Sequence, residues 1–231
     1  MGEHLVQLVD VESAYRLWSP SYDSDPNPIL ALERRVVGER LGALSGLRLL
    51  DIGTGTGYWL AHARSCGACA FGMDLSEAML SVAARKPELR GRLIRADMSR
   101  LPFQDGAADL SICSMALGYV PSPAACFREM ARVSRRFVVS DLHPGAVEAG
   151  WRRRFESAGR RYEVEQFAHT TARLDQAGDD AGLRIDWRLT AHLGEPERGV
   201  FIRAGREYAF AEACRVPAIL ATCWVRAGVQ T

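Results

Sequence analysis

Short apolar runs alternate with amphipathic segments through the middle of the chain. Between these runs, segments such as Ser76–Arg85 and Pro123–Val133 have the residue spacing of helices. Strands that alternate with helices at this interval predict a parallel, doubly wound α/β sheet. Five runs predict strands, near residues 47–52, 69–74, 91–97, 109–120 and 136–142. The fourth of these ranges includes the loop that follows its strand.

The two ends of the chain depart from this alternation. Before the first strand, a short helix around Val6–Trp18 and a longer one over Ile29–Leu44 are predicted, with a proline-rich loop between them. We therefore expect an N-terminal helical cap over residues 1–45 and one compact domain over residues 46–231. The last third is predicted to contain a hairpin around Gly159, a helix over Thr170–Ala181, strands over Leu183–Leu193 and Ala218–Val225, and a small helix over the pocket at Arg206–Arg215.

Composition and charge narrow the class of partner. The chain has 231 residues, of which 48% are apolar and 25% charged, and its formal net charge is +1. This balance gives no electrostatic reason to expect a nucleic acid or an anionic membrane as partner. No signal peptide and no apolar run of membrane-spanning length is recognised, so we expect a cytoplasmic protein. Cys66 and Cys69 have the C-x-x-C spacing, but no second pair accompanies them for a zinc site.

A glycine-rich turn follows the first predicted strand. Gly53, Gly55 and Gly57 alternate with threonines just after Asp51, and an apolar helix start comes next. Because glycine lacks Cβ, a ligand can approach this backbone closely and meet the free N–H groups of the helix start. A dinucleotide fingerprint, G-x-G-x-x-G, requires glycine at position 58, where this chain has tyrosine. The spacing therefore disfavours a nicotinamide oxidoreductase.

Two further acids end the next two predicted strands. Asp74 lies 23 residues after Asp51, and Asp97 lies 23 residues after Asp74. The carboxyl ends of parallel strands share one edge of the sheet, and such sheets bind ligands at that edge. We therefore expect the three acids to line one site.

These residues resemble motifs of the class I S-adenosylmethionine (SAM) dependent methyltransferases. The stretch Asp51–Gly57 resembles the family's D/E-x-G-x-G-x-G motif, and Ala96–Phe103 resembles its D-x-x-x-L-P-F element. Asp109–Val120 is similar to the family's fourth strand and exit loop, with Tyr119 where histidine is common. Tyr22-Asp23 resembles the "YD" element that many small-molecule methyltransferases place against the methionine end of SAM.

The resemblance implies a mostly parallel sheet of seven strands, SAM as the cofactor, and a role for each strand-end acid. Asp74 would accept the two ribose hydroxyls and Asp97 the adenine amino group, while Asp51 suits the amine end of the ligand. The full set of cofactor contacts that it implies is Tyr22, Asp51, Gly53, Thr54, Gly55, Asp74, Leu75, Met79, Asp97, Met98, Met115 and Ala116.

The resemblance further implies an enzyme that transfers a methyl group to an O, N or C atom of a small molecule, for example in secondary metabolism. His143 follows the fifth strand at the ligand edge, and histidine titrates near neutral pH, so it is the candidate general base. Asp141 and His143 lack the adjacent Asp-Asn pair of a catechol-type metal site, so no metal is expected. The expected acceptor contacts are Trp18, Tyr22, Tyr119, His143 and His169.

A non-methylating alternative stays open at this point. A protein of this fold that binds SAM without methyl transfer, such as a natural-product cyclase, would carry the same motifs. The sequence also leaves open the acceptor molecule, the acceptor atom and the oligomeric state.

Overall fold

The fold combines a large mixed sheet, flanking helices and a second small sheet; the computed structural model describes residues 6–226. The outermost residues of the predicted cap and domain, 1–5 and 227–231, lie outside the described residues. The strands are β1 (Gln7–Val9), β2 (Arg48–Ile52), β3 (Cys69–Asp74), β4 (Leu93–Arg95), β5 (Ala108–Ser114), β6 (Ser134–Leu142), β7 (Arg154–Ser157), β8 (Arg160–Val164), β9 (Leu183–His192) and β10 (Pro217–Arg226). The helices are α1 (Val11–Trp18), α2 (Pro28–Leu41), α3 (Tyr58–Ser65), α4 (Glu77–Ala83), α5 (Ala124–Val133), α6 (Pro144–Glu148), α7 (Thr171–Asp180), α8 (Glu195–Arg203) and α9 (Phe210–Ala213).

The large sheet has seven strands in the order β4-β3-β2-β5-β6-β10-β9. The five strands from β2 to β6 pair in parallel, whereas β10 runs antiparallel to both β6 and β9. The predicted α/β fold with a mostly parallel, seven-stranded sheet is therefore confirmed. Because the parallel strands all end at one edge, the loops that follow them meet there.

Apolar side chains cover both faces of this sheet. On one face, α2 and α3 bury Leu32, Trp59 and Leu60 against the strands. On the other face, α5 buries Phe127 and Met130 beside α7. Their spacing along α5 is the three-residue interval of a helix face that meets a core. Helices on both sides of a parallel sheet leave its carboxyl edge as the accessible place for a ligand.

The structure has a second sheet of three strands, which was not predicted from the sequence and which includes the N-terminal strand β1. β1 pairs in parallel with β8, and β8 forms the predicted hairpin around Gly159 with β7. α1 packs on this sheet, so that Trp18 stacks on Phe155 with a ring-centroid separation of 4.9 Å. The sheet thereby joins the start of the chain to the segment after β6.

The predicted N-terminal helices differ in extent from the observed ones. Residues 7–9 form strand β1 instead of the start of a helix, because α1 begins after Asp10, whose side chain accepts the N–H of Ser13 at 2.9 Å. α2 ends at Leu41 rather than Leu44, because Gly42 takes a left-handed φ of +72°.

Other predicted boundaries also change at the ligand edge and in the last third. β4 ends at Arg95, and Asp97 lies in the loop beyond it. β5 ends at Ser114, and its exit loop forms a 3₁₀ turn at Leu117–Tyr119. α8 was not predicted. The predicted helix at 206–215 is a 3₁₀ turn followed by the short α9, and Phe210 packs on Phe201 of α8 rather than over a pocket.

None of the helices between residues 6 and 226 combines the length and the apolar composition needed to cross a bilayer.

Candidate active site

The glycine turn between β2 and α3 is tightly enclosed. Gly53 and Gly57 adopt left-handed φ values of +70° and +86°. A Cβ on Gly53 would lie 2.6 Å from Cβ of Ala116, and one on Gly57 would lie 2.4 Å from a methyl carbon of Leu89. Both the backbone conformation and the close approach therefore require glycine. The turn places the start of α3 at the carboxyl end of β2, where the parallel strands of the large sheet end.

Asp51 of β2 links this strand by hydrogen bonds to the glycine turn and to α3. Its side chain is buried, and Oδ2 accepts hydrogen bonds from Oγ1 of Thr54 at 2.6 Å and from the N–H of Leu60 at 3.0 Å. Burial raises the pKa of Asp51 to about 7, although these two hydrogen bonds oppose the shift. Oδ1 receives no donor from the described residues, which leaves this oxygen for a ligand.

Asp74 is held by the main chain at the next strand end. Oδ2 accepts the N–H of Gly55 and Oδ1 accepts the N–H of Ser76, each at 2.8 Å. Burial raises the pKa of this carboxyl group. Each carboxylate oxygen has a second lone pair, so both can accept a further donor.

Three of the remaining predicted cofactor contacts surround this acid and the turn. Leu75 is 59% exposed, which is unusual for a leucine next to a strand end. Met79 is buried, and its terminal methyl lies 3.3 Å from where a Cβ of Gly55 would be. Met98 approaches the Cβ position of Gly53 at 3.9 Å. Together they form an apolar wall beside the turn.

Asp97 is exposed at the end of the same row. Its Oδ1 accepts the N–H of Ser99 at 2.8 Å, which orders the loop after β4. The carboxyl edge therefore carries Asp51, Asp74 and Asp97 on three neighbouring strands or their exit loops.

Met115 carries backbone strain at the end of β5. Its φ is +54°, a left-handed value that is rare for a residue with a long side chain. Its N–H donates to the carbonyl of Ser140 at 2.7 Å, so the pairing with β6 fixes this conformation. The next residue, Ala116, is buried against the glycine turn. Strain of this kind concentrates at functional sites, where the surrounding structure maintains it.

A buried glutamate on α2 forms hydrogen bonds with serines of β5 and β6. Glu33 of α2 is 1% exposed, and it accepts hydrogen bonds from Ser114 at 2.8 Å and Ser140 at 2.6 Å, and a longer one from Trp59 at 3.3 Å. Burial raises its pKa. Glu33 was not predicted from the sequence. It lies among the apolar residues of α2 that face the core, and an acid in that position indicates a buried polar contact.

The N-terminal segment is attached to the glycine turn by a polar network. Oδ1 of Asp23 accepts the hydroxyl of Thr56 at 2.6 Å, and Oδ2 accepts Nζ of Lys86 at 3.0 Å. Lys86 also donates to the carbonyl of Thr56 at 2.7 Å. Tyr22, one residue before this attachment, therefore lies near the turn, and its ring packs on Trp18 at 4.9 Å.

Tyr119 belongs to an aromatic and ionic cluster beyond β5. The hydroxyl of Tyr15 donates to that of Tyr119 at 2.5 Å, and the guanidinium of Arg153 lies 4.6 Å above the Tyr119 ring. Arg153 also pairs with Asp141, whose Oδ2 accepts the N–H of Gly118 at 2.7 Å. Burial raises the pKa of Tyr119. The sequence contained no signal for Tyr15 or Arg153, because their partners are brought together only by the fold.

The two candidate histidines have different surroundings. His143 caps α6: its Nδ1 accepts the N–H of Gly145 at 3.0 Å, and burial lowers its pKa. His169 is buried behind the 3₁₀ turn after β5, where its Nε2 lies 3.3 Å from the carbonyl oxygen of Leu117. The base role of His143 stays a prediction. Within residues 6–226, no group of three or more His, Cys, Asp or Glu side chains is arranged to hold a metal ion.

Residues 50–139 match a family model described as a methyltransferase domain. A malonyl-[acyl-carrier protein] O-methyltransferase from Marinomonas sp. is 37% identical over 140 residues, which are 56% of this chain and 50% of that protein. A demethylmenaquinone methyltransferase from Renibacterium salmoninarum is 32% identical over 136 residues, which are 54% of this chain and 56% of that protein. The chain spans about half the length of the curated relatives it matches.

Solved structures of similar fold cover nearly the whole chain. An S-adenosylmethionine dependent methyltransferase from Mesorhizobium loti has a TM-score of 0.68 at 25% sequence identity, and the match covers 87% of this chain and 100% of that one. The [4+2]-cyclase SpnF has a TM-score of 0.64 at 20% identity over 96% of this chain and 98% of its own, which is a likeness of fold alone. The strand-end acids, the glycine turn, the seven-stranded sheet and the methyltransferase domain model over residues 50–139 make this chain similar to the class I SAM-dependent methyltransferases.

Proposed function

We propose that the protein binds SAM at the carboxyl edge of the large sheet and transfers its methyl group to a small-molecule acceptor. The observation that carries this proposal is the row of Asp51, Asp74 and Asp97 beside a turn that admits only glycine at Gly53 and Gly57. The match of residues 50–139 to a methyltransferase domain model supports the same reaction.

The residues present fit SAM. At Gly53 and Gly55 a Cβ would meet Ala116 and Met79, so glycine lets the turn pack closely and keeps its left-handed backbone beside the strand-end acids. Asp74 retains acceptor capacity for the ribose hydroxyls, and Asp97 with Met98 suits an adenine ring. When bound, SAM supplies an electrophilic methyl group on a sulfonium sulfur.

The methionine end of SAM would meet the N-terminal segment. Asp51 offers a free oxygen toward an ammonium group, and Tyr22 is brought close by the attachment of Asp23 to the glycine turn. Thr54, Leu75, Met79, Met115 and Ala116 complete the proposed cofactor contacts. On the same grounds we propose that residues 1–45 act as a cap over the domain formed by residues 46–231.

The acceptor is proposed to be a small molecule that lies between the cap and the exit loop of β5. Trp18, Tyr22, Tyr119, His143 and His169 are the proposed contacts, and the two named relatives act on a malonyl thioester and on demethylmenaquinone according to their names. The proposed acceptors also include intermediates of secondary metabolism. All six cysteines are free, which supports a reducing compartment such as the cytoplasm.

Label transfer from SAM tests this function directly. The protein is incubated with SAM carrying a labelled methyl group and with two probe acceptors, a malonyl thioester and a short-chain demethylmenaquinol. We expect label in at least one product, with formation of S-adenosylhomocysteine. Absence of label from acceptors that demonstrably bind together with SAM would contradict methyl transfer and favour the non-methylating alternative.

A further inference from the structure

His169 occupies a narrow cleft behind the 3₁₀ turn that follows β5. The chain after β8 runs along this turn, where the N–H of Phe167 donates to the carbonyl of Gly118 at 2.7 Å. His169 follows, and then Thr170 caps α7. The cleft around the imidazole ring is also lined by Leu117, Asp141, Arg153, Phe167, Leu220 and Trp224.

The hydrogen bond to Leu117 determines the tautomer of this histidine. A carbonyl oxygen only accepts, so the 3.3 Å contact requires Nε2 of His169 to carry the proton. Nδ1 then presents a lone pair. This nitrogen is fully buried and has no hydrogen-bond partner among the described residues, and the residue as a whole is only 8% exposed. An unpaired buried acceptor is destabilising, so a donor that arrives with a ligand would be favoured there.

The surroundings keep the ring neutral. Burial lowers the pKa of His169, and Arg173 of α7 acts in the same direction. The hydrogen bond to Leu117, the backbone of Val120 and the carboxylate of Asp141 on β6 act in the opposite direction and raise the pKa. The remaining charge in the cleft, Arg153, is balanced by its pair with Asp141. At neutral pH the Nδ1 lone pair is therefore available to take a proton.

We propose that Nδ1 of His169 is the general base that takes a proton from the acceptor, and that the acceptor is a hydroxyl or carbon acid rather than a carboxylate. This inference rests on the proposed methyl transfer. His143 is less suited to the role because its Nδ1 already accepts the N–H of Gly145.

The charges of the cleft support a neutral acceptor. Asp141 accepts from Gly118, Leu142 and Arg153, so the one cation that lines the cleft is already neutralised among the described residues. An anionic carboxylate would enter beside Asp141, and among the residues that line the cleft it would meet no cation except the already paired Arg153, which is costly at a buried site. A hydroxyl or an activated C–H brings the donor that Nδ1 lacks.

Each proton and electron pair in this step has a defined destination. The O–H or C–H proton of the acceptor moves to Nδ1 of His169, and the acceptor keeps the electron pair. That pair forms the bond to the methyl carbon, while the electrons of the broken carbon–sulfur bond stay on the sulfur of SAM as a neutral thioether. The imidazolium of His169 then returns its proton to water.

The test compares His169→Gln with the matched control His62→Gln. Glutamine keeps an amide donor for the carbonyl of Leu117 but offers no base, whereas His62 lies on α3 away from the cleft. With demethylmenaquinol as acceptor, we expect kcat of His169→Gln to fall about 10²–10⁴-fold, the usual range for loss of a general base. Calorimetry should show SAM affinity within about twofold of the wild-type value for both variants, and His62→Gln should keep wild-type kcat.

Two further readouts do not depend on the loss of activity alone. In wild-type protein with ¹⁵N-labelled histidine, NMR should show that neutral His169 carries its proton on Nε2 and that its pKa lies below the ordinary histidine value of 6.5. The kcat of the wild type should rise with pH through this lowered pKa and then level off, and His169→Gln should lack that rise. The NMR result stands even if the variant fails to fold.

Several outcomes would overturn the base role. A proton on Nδ1, unchanged turnover of the quinol by folded His169→Gln, or methyl transfer to the malonyl thioester alone would each contradict it. If His169→Gln transfers label as fast as the wild type, the base role fails while methyl transfer stands. If the wild type binds SAM and both acceptors but transfers no label, both proposals fail together.

Discussion

At the scale of single residues, two buried carboxyl groups shape the candidate site. Asp51 and Glu33 are each at most 2% exposed; Oδ2 of Asp51 accepts two hydrogen bonds, and the carboxyl group of Glu33 accepts three. Removing a charge from water is costly, so burial raises the pKa of both groups. We therefore expect both groups to reduce stability when they ionise.

Asp51→Asn should change the pH dependence of stability. The folded pKa of Asp51, about 7, lies above its ordinary value of 3.8, so the folded state holds this proton more tightly than the unfolded state. Its stabilising contribution is complete below pH 3.8 and is lost as the pH rises to about 7. We therefore expect the free energy of unfolding to fall less between pH 4 and pH 7 in Asp51→Asn than in the wild type, as measured by urea denaturation.

Asp105→Asn is the matched control for this experiment, because Asp105 is exposed on a surface loop. It should follow the wild-type curve. Parallel curves for Asp51→Asn and the wild type would show that the carboxyl group of Asp51 does not titrate in the assigned range.

At the scale of secondary-structure elements, α7 and β10 depend on one close contact. A Cβ on Gly178 of α7 would lie 2.3 Å from the ring of Trp224, which is 2% exposed and packs on Phe127 at 5.4 Å. Gly178 is therefore a packing residue, and its low helix propensity is offset by the indole ring that it admits.

Gly178→Ala should destabilise the protein, whereas Gly199→Ala should not. Forcing a methyl group into a filled core costs about 1–3 kcal/mol. Gly199 lies on the exposed side of α8, and its Cβ would meet only the end of Arg203 at 3.7 Å, so alanine there should gain up to about 1 kcal/mol. Thermal unfolding of both variants checks the difference. Equal midpoints for the two would contradict the packing role of Gly178.

The elements that the sequence predicted are those with local signals. The parallel strands, the glycine turn of Gly53–Gly57 and the strand-end acids follow from apolar runs and residue spacing within short stretches. β1 was missed because its three residues become a strand only by pairing with Tyr162–Val164, about 150 residues away. Arg153 and Tyr15 were missed for the same reason: their functional neighbours are remote in the chain.

At the scale of the whole molecule, the N-terminal segment is attached at several separate points to the rest of the chain. α1 rests on the small sheet, Asp23 is attached to Thr56 and Lys86 at the glycine turn, and Glu33 of α2 binds the ends of β5 and β6. These contacts join residues that are 30 to more than 100 positions apart. They support the proposal that residues 1–45 act as a cap over the domain.

The central claim is that this edge binds SAM through its strand-end acids, and titration calorimetry tests it most directly. Asp74 would lose two hydrogen bonds to the ribose on substitution, which costs roughly 1–3 kcal/mol, or about tenfold or more in Kd. We expect SAM and S-adenosylhomocysteine to bind the wild type, NAD not to bind, folded Asp74→Ala to bind SAM at least about tenfold more weakly, and the exposed control Asp105→Ala to bind SAM as the wild type does. Binding of NAD without SAM, or an unchanged Kd for SAM in folded Asp74→Ala, would contradict the claim.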